Sequence, residues 1–217
     1  VSVSSNVVTI NPAGTFVSST GYYLVIPSTF FDDASSNDYA GFSTKTVLNF
    51  TSADSVAPTL ASSSPADNAT GVAEGSNIVL TFSEVVDRES GNITIKKTSD
   101  NSTIEAIAVT DSKITGTGTN VITINPTANL ASSTEFYVLV DSSAFDDTSS
   151  NSYAGISSTT ALSFTTSDTV SPTLLSSVPA DGSTGIGVSS NIILNFSEAV
   201  DVETGNIVIK RTSNDAT

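Results

Sequence analysis

Residues 77–97 read "NIVLTFSEVVDRESGNITIKK". The first six are mostly apolar or β-branched, the last six open on alternating polar and apolar residues, and the nine between them are mostly Ser, Glu, Asp, Arg and Gly. Two strands joined by an acidic turn are the expectation, because β-branched residues suit a pleated, half-buried surface and alternation marks one wet face. The connecting stretch carries Glu84, Asp87 and Glu89 within six residues.

The same pattern returns at 191–211 as "NIILNFSEAVDVETGNIVIKR", with Glu198, Asp201 and Glu203 in the matching places. "NVVTINP" (6–12) likewise returns as "NVITINP" (120–126), and "FDDASSNDYAG" (31–41) as "FDDTSSNSYAG" (145–155). All of these pairs are offset by 114 residues, and 1–103 aligns on 115–217 without a gap. About half of the aligned positions are identical, which compositional drift does not produce. A period near one hundred is the size of a sandwich domain rather than a solenoid turn.

The seams are polar and end in Pro: "TSADSVAPT" (51–59) and "TTSDTVSPT" (165–173), short semi-rigid linkers between strands. They divide the chain into the back half of a module (1–53), a complete module (54–168) and the front half of another (169–217). The counterpart of "IEAIAVTDSKI" (104–114) is absent from both halves. The chain therefore reads as a window on a longer array, with pairing of the halves between molecules as the other reading.

Composition narrows the chemistry. The chain has no Cys and no His, and no Met or Trp. Disulfides, thiol nucleophiles, histidine-ligated metals and Ser-His-Asp catalysis are excluded, leaving carboxylate or Lys chemistry. With 22 acidic against 7 basic residues, the formal charge is −15. Nucleic acid and anionic membrane surfaces are poor partners for such a chain, since both are bound through Lys and Arg. Divalent cations are natural ones. No run approaches the ~20 apolar residues of a membrane span, so no membrane insertion is expected. No initiator Met or signal peptide opens the sequence, as in a mature or excised segment. Abundant Ser and Thr with scarce Lys point to an extracellular or cell-surface setting.

Six strands are expected in the complete module, at 77–82, 92–97, 104–109, 120–126, 135–140 and 160–166, and seven or so in all. No window of a dozen residues holds a helical period, so the module is all-β. "PTLASSSPADNATGVAEGSNIVLTFSEVVD" (58–87), "NVITINPTANLASSTEFYVLV" (120–140), "AFDDTSSNSYAG" (144–155) and "LSFTT" (162–166) resemble the bacterial Ig-like domains found in tandem in large secreted and surface proteins. The resemblance covers the complete module and both halves. It implies tandem immunoglobulin-like β-sandwiches with Greek-key connections.

In that order of strands, "FSEVVDRESGN" takes the B–C position and "FDDTSSNSYAG" the F–G position, at the end where the linker enters. Asp54, Glu84, Asp87, Glu89, Asp146, Asp147 and Asn151 would then converge. The next seam repeats the set with Asp168, Glu198, Asp201 and Glu203, and the first half contributes Asp32, Asp33, Asn37 and Asp38. So many carboxylates repel unless water screens them or a cation neutralises them. Calcium, which takes six to eight oxygens at flexible geometry, suits the set and would tie one module to the next. The plainer reading is a group of solvated Asp/Asn/Ser/Gly turns. Neither loop holds an EF-hand pattern.

A glycosidase-type carboxylate pair lacks the aromatic sugar platforms that usually accompany it. Asp67 and Asp181 read as turn residues bonded to nearby backbone, and "YAG" (39–41, 153–155) as a Tyr in the core or at a corner with a Gly turn. "TGTGTN" (115–120) reads as a hairpin bend. Sequons begin at Asn49, Asn68, Asn92, Asn101 and Asn195, which makes glycans possible partners. The leading expectation is a structural repeat of a stalk, adhesin shaft or filament, its neighbours being modules of the same chain or subunits of a filament. The alternative is a carbohydrate- or ligand-binding module using the B–C and F–G loops. Divergent specificity would make loops differ between modules, whereas 145–155 nearly copies 31–41.

Overall fold

In the computed structural model, which describes residues 1–212, the strands follow the repeat. The back half-module holds β1 (Ser2–Ser4), β2 (Val7–Thr9), β3 (Gly21–Tyr23) and β4 (Asn49–Thr51). The complete module runs through β5 (Leu60–Ser64), β6 (Ala69–Val72), β7 (Ile78–Arg88), β8 (Asn92–Lys97), β9 (Thr103–Ala108) and β10 (Ile114–Thr115). It continues with β11 (Thr119–Ile124), β12 (Glu135–Val140), β13 (Phe145–Asp146) and β14 (Ser163–Thr166). The front half-module holds β15 (Leu174–Val178) and β16 (Ile193–Phe196). Contacts divide the chain into two units, Val1–Asp168 and Thr169–Thr217.

In the complete module, one sheet has the order β10-β11-β7, with β5 and then β13 along the far edge of β7. The other has the order β6-β14-β12-β8-β9. Every pairing is antiparallel except β14 with β6. The chain crosses between sheets after β5, β6, β7, β9, β11, β12 and β13, which makes this an all-β, immunoglobulin-like sandwich. Alternation places Ile78, Leu80 and Phe82 of β7 in the core with Ile93 and Ile95 of β8 and Ile122 and Ile124 of β11. Phe82 meets Phe145 at 5.3 Å and Tyr153, edge-on, at 5.1 Å between ring centroids. Tyr153 is thus a core residue.

Three features depart from the sequence expectation. The acidic stretch after Phe82 is not a loop: β7 runs on through Glu84 and Asp87 to Arg88. Its continuation is held by β13, with Phe145 opposite Arg88 and Asp146 opposite Asp87, and by Thr119 opposite Val86. Second, β5 and β6 went unread because "LASSS" and "ATGV" have too few large apolar residues to announce strands. The last strand begins at Ser163, three residues later than expected, since 160–162 turn.

Third, Asp67 does not bond nearby backbone. Its Oδ1 accepts from the backbone N–H of Ser163 at 2.9 Å and from the Ser163 hydroxyl at 3.2 Å, while Asn68 N–H donates to the Ser163 carbonyl at 2.8 Å. The turn before β6 is thereby clipped to the start of β14, so Asp67→Ala should cost about 1–2 kcal/mol, measured by urea unfolding. The hairpin reading of "TGTGTN" agrees with the geometry. Gly116 has φ +99°, and a Cβ there would lie 1.9 Å from the Val121 carbonyl oxygen.

Candidate functional site at the module seam

The continuation of β7 determines where Glu84 goes. It has the same parity as Phe82 and Val86, both fully buried, so the strand directs a carboxylate to the inner side at the end of the sandwich. Asp147, 5% exposed, approaches from the segment after β13, and Asp54 from the linker. One carboxylate oxygen from each of Asp54, Glu84 and Asp147 lies within 4.8 Å of the others. Among the described residues none of the three is paired with a Lys or Arg. The recorded ion pair, Lys113–Glu105 at 3.0 Å, joins the turn before β10 to β9.

Two of the three acids are fixed anions. Asp147 Oδ1 accepts from the backbone N–H groups of Ser149 and Asn151, both at 2.8 Å, and Asn151 Nδ2 donates to Oδ2 at 2.8 Å. Burial pushes the Asp147 carboxyl up, but these donors outweigh it and hold it below the usual aspartate range. Asp54 is held low by the Val56 N–H at 3.0 Å and the Ser18 hydroxyl at 2.8 Å. Ser18 belongs to the preceding half-module and also accepts from the Ser55 N–H at 2.9 Å. The linker carboxylate is therefore shared across the seam. Glu84 takes the strain: desolvation, then the charges of Asp147 and Asp54, raise its pKa.

The other expected residues are placed differently. Asn151 orients Asp147. Asp146 pairs with Asp87 across β13 and β7, and Asp87 accepts a bond from the Thr117 hydroxyl at 3.2 Å. Glu89 is exposed, its N–H donating to the Ala144 carbonyl. Asp33 and Asn37 repeat the Asp147–Asn151 bond at 2.9 Å on an exposed surface, and hydrogen bonds from Asn37 hold Asp33 low. Asp32 and Asp38 form an isolated bridge nearby. Asp168 is exposed and receives the Ser132 hydroxyl at 3.4 Å, as Asp54 receives that of Ser18. In the front half, Asp201 and Glu203 are exposed, while Glu198 Oε1 is withdrawn from solvent with no hydrogen-bond partner. Ser18 was not singled out in the sequence. The available signal was the recurrence of "SST" at 18–20 and 132–134.

A family model described as a bacterial Ig-like domain matches residues 54–166 and again 168–217. The chain belongs to the bacterial Ig-like domain family. No curated protein matches this Ig-like chain. A crystal structure of the S-layer protein rSbsC(31-844) is similar over 56% of this chain and 15% of that one, at 14% identity and a TM-score of 0.35. The Ig-like chain thus spans a small part of that protein.

The acids have opposite pH signatures. Glu84 titrates higher in the fold than in the unfolded chain. Its contribution favours the fold below the ordinary glutamate value and is lost as pH rises through its folded pKa. Asp147 contributes above the ordinary aspartate value and loses its contribution as pH falls through its depressed one. Glu84→Gln should therefore raise the stability of the protein at neutral pH in the presence of a chelator. It should also flatten the fall in stability above the ordinary glutamate range, as read by urea midpoints across a pH series.

Proposed function

We propose that this chain is a structural segment of an extracellular or cell-surface stalk, adhesin shaft or filament, non-catalytic in itself, whose module seams are stiffened by Ca²⁺. The observation that carries the cation is the convergence of Asp54, Glu84 and Asp147 within 4.8 Å without a basic partner. Three hard oxygen donors of this kind suit calcium, with backbone carbonyls or water completing its coordination. Asp54, Glu84 and Asp147 would hold it, and it would supply the positive charge that their mutual repulsion calls for. The Asp54–Ser18 bond carries that charge's influence into the preceding half-module. Family membership supports the structural role, and the near-identity of 31–41 and 145–155 speaks against loops specialised for different ligands. Sequons at Asn68, Asn92 and Asn101 lie at exposed positions, where glycans would be accommodated.

Thermal unfolding with calcium and with chelator tests the cation. At ten times a Kd in the 10⁻⁴–10⁻³ M range of extracellular modules, binding to the folded state adds about 1.4 kcal/mol. That corresponds to a rise of about 4–8 °C in Tm for a domain of this size. Glu84→Gln should abolish most of the rise. Equal melting curves with calcium and chelator would sink the cation and leave the spacer role standing. Saturable binding to a glycan array, lost on changing 145–155, would favour the carbohydrate-binding alternative.

A further inference from the structure

We propose that the complete module is a mechanical clamp: tension entering by one linker and leaving by the other is resisted by the pair β6–β14, whose bonds it loads together in shear. This pair is the one parallel contact in a module otherwise built from antiparallel pairs. It also joins the two ends of the module. β5 and β6 are the first strands after the seam at 51–59, and β14 is the last before the seam polypeptide leaves at 167.

Topology sets the direction of the load. Tension reaches β6 at its N-terminal end, through β5, and reaches β14 at its C-terminal end. In parallel strands those two ends lie at opposite ends of the pair, so the strands are drawn past one another along their length. An antiparallel pair loaded at adjacent ends opens one bond at a time. The parallel pair strains all its cross-links at once. β5 lies ahead of β6 on the same path, and once it slips from β7 the chain is still held at β6.

Side chains reinforce both ends of this short pair. The ladder sets Phe164 opposite Ala69 and Thr166 opposite Val72. Ahead of it, Asp67 Oδ1 accepts from the Ser163 N–H at 2.9 Å and the Ser163 hydroxyl at 3.2 Å, and the Asn68 N–H donates to the Ser163 carbonyl at 2.8 Å. Behind it, the Ser167 N–H donates to the Val72 carbonyl at 2.8 Å, and the Ser167 hydroxyl lies 3.0 Å and 3.2 Å from the Val72 and Gly71 carbonyls. A strand of four residues is thus cross-linked from 67 to 72. Asp67 supplies a charged acceptor, and Ser163 is 6% exposed, so water competes poorly for that bond. β14 is anchored on its other side by β12, and the buried Thr166 hydroxyl donates to the Ala131 carbonyl at 2.6 Å. Force therefore passes into the sheet rather than peeling β14 away. Tension is what a stalk or filament segment carries, so the use of the clamp rests on the structural role proposed above. None of its residues belongs to the Asp54, Glu84 and Asp147 set.

The test is the lifetime of the folded module under constant tension in a single-molecule trap. The whole chain is held through cysteines at Ser55 and Ser171, both exposed, in a sequence with no other Cys. Chelator keeps any cation at the seam from contributing. Forced unfolding follows the unfolding rate, which changes when interactions broken at the barrier are removed and not when those still intact there are removed. Asp67→Ala should shorten the lifetime about tenfold, the effect of losing a charge-assisted hydrogen bond that breaks at the barrier. Asp67→Asn keeps an acceptor for the Ser163 N–H and should restore most of the lifetime. Ser167→Ala, at the other end of the pair, should shorten it as well. Ile107→Val is the contrast, since Ile107 is 2% exposed on β9, at the opposite edge of the same sheet from β6. Urea unfolding should show Ile107→Val destabilised, while its lifetime under tension matches wild type. Wild-type lifetimes for both Asp67→Ala and Ser167→Ala would overturn the clamp. So would an Ile107→Val lifetime as short as that of Asp67→Ala. Either result would leave the spacer role standing, because a spacer need not resist tension.

Discussion

Phe82→Ala is expected to destabilise the complete module by about 3–5 kcal/mol, the cost of emptying a buried aromatic site. The side chain is 1% exposed and sits between Phe145 and Tyr153, so its loss leaves two rings facing a cavity. The effect should also reach the acidic site. Phe145 leads into Asp147, and Phe82 is two residues from Glu84 on the inner side of β7. A loosened ring cluster should widen the spacing of the carboxylates, so the calcium stabilisation proposed for them should shrink along with the melting temperature. Chemical unfolding with and without calcium measures both. Phe82→Leu should recover part of the stability by refilling some of the cavity.

Gly155→Val should cost about 3 kcal/mol or more, through the backbone rather than the core. Gly155 has φ +78°, and a Cβ would lie 2.5 Å from the Val140 carbonyl oxygen and 2.8 Å from the Ser142 nitrogen. Both are main-chain atoms of β12 and its exit, which cannot rotate aside. A β-branched residue in the left-handed region adds strain of about 1–3 kcal/mol to that clash. The same constraint recurs at Gly41, whose Cβ would lie 2.4 Å from the Ile26 carbonyl oxygen. Urea midpoints should place Gly155→Ala between wild type and valine. A valine variant as stable as wild type would mean that this turn can re-form at little cost.

The repeat and most of the strands were legible because they rest on local signals. β8, β11 and β12 are alternating or apolar runs, and their expected bounds differ from the observed ones by two residues or fewer. The second half of β7 was not legible, because "SEVVDR" combines charged residues with few apolar ones. What keeps it extended is pairing with β13 and β11, remote in sequence. Asp67 was misplaced for the same reason: its partner, Ser163, is on the opposite side of the module's chain. Composition made every acid near the seam look equivalent, but strand parity admits Glu84 and leaves Asp87 paired beside Asp146 at the sheet edge. Glu89, one residue beyond β7, is left in solvent.

Cation locking of the seam would make the spacer stiff, and the absence of Cys lets a distance across that seam be read cleanly. Spin labels on cysteines at Ser35 and Ser99, both exposed, would report the separation of the first half-module from the complete one. Cation locking predicts a broad distance distribution in chelator, a narrow one in millimolar calcium, and a broad one again in calcium when Glu84 is replaced by Gln. A distribution of the same width in all three conditions would contradict it.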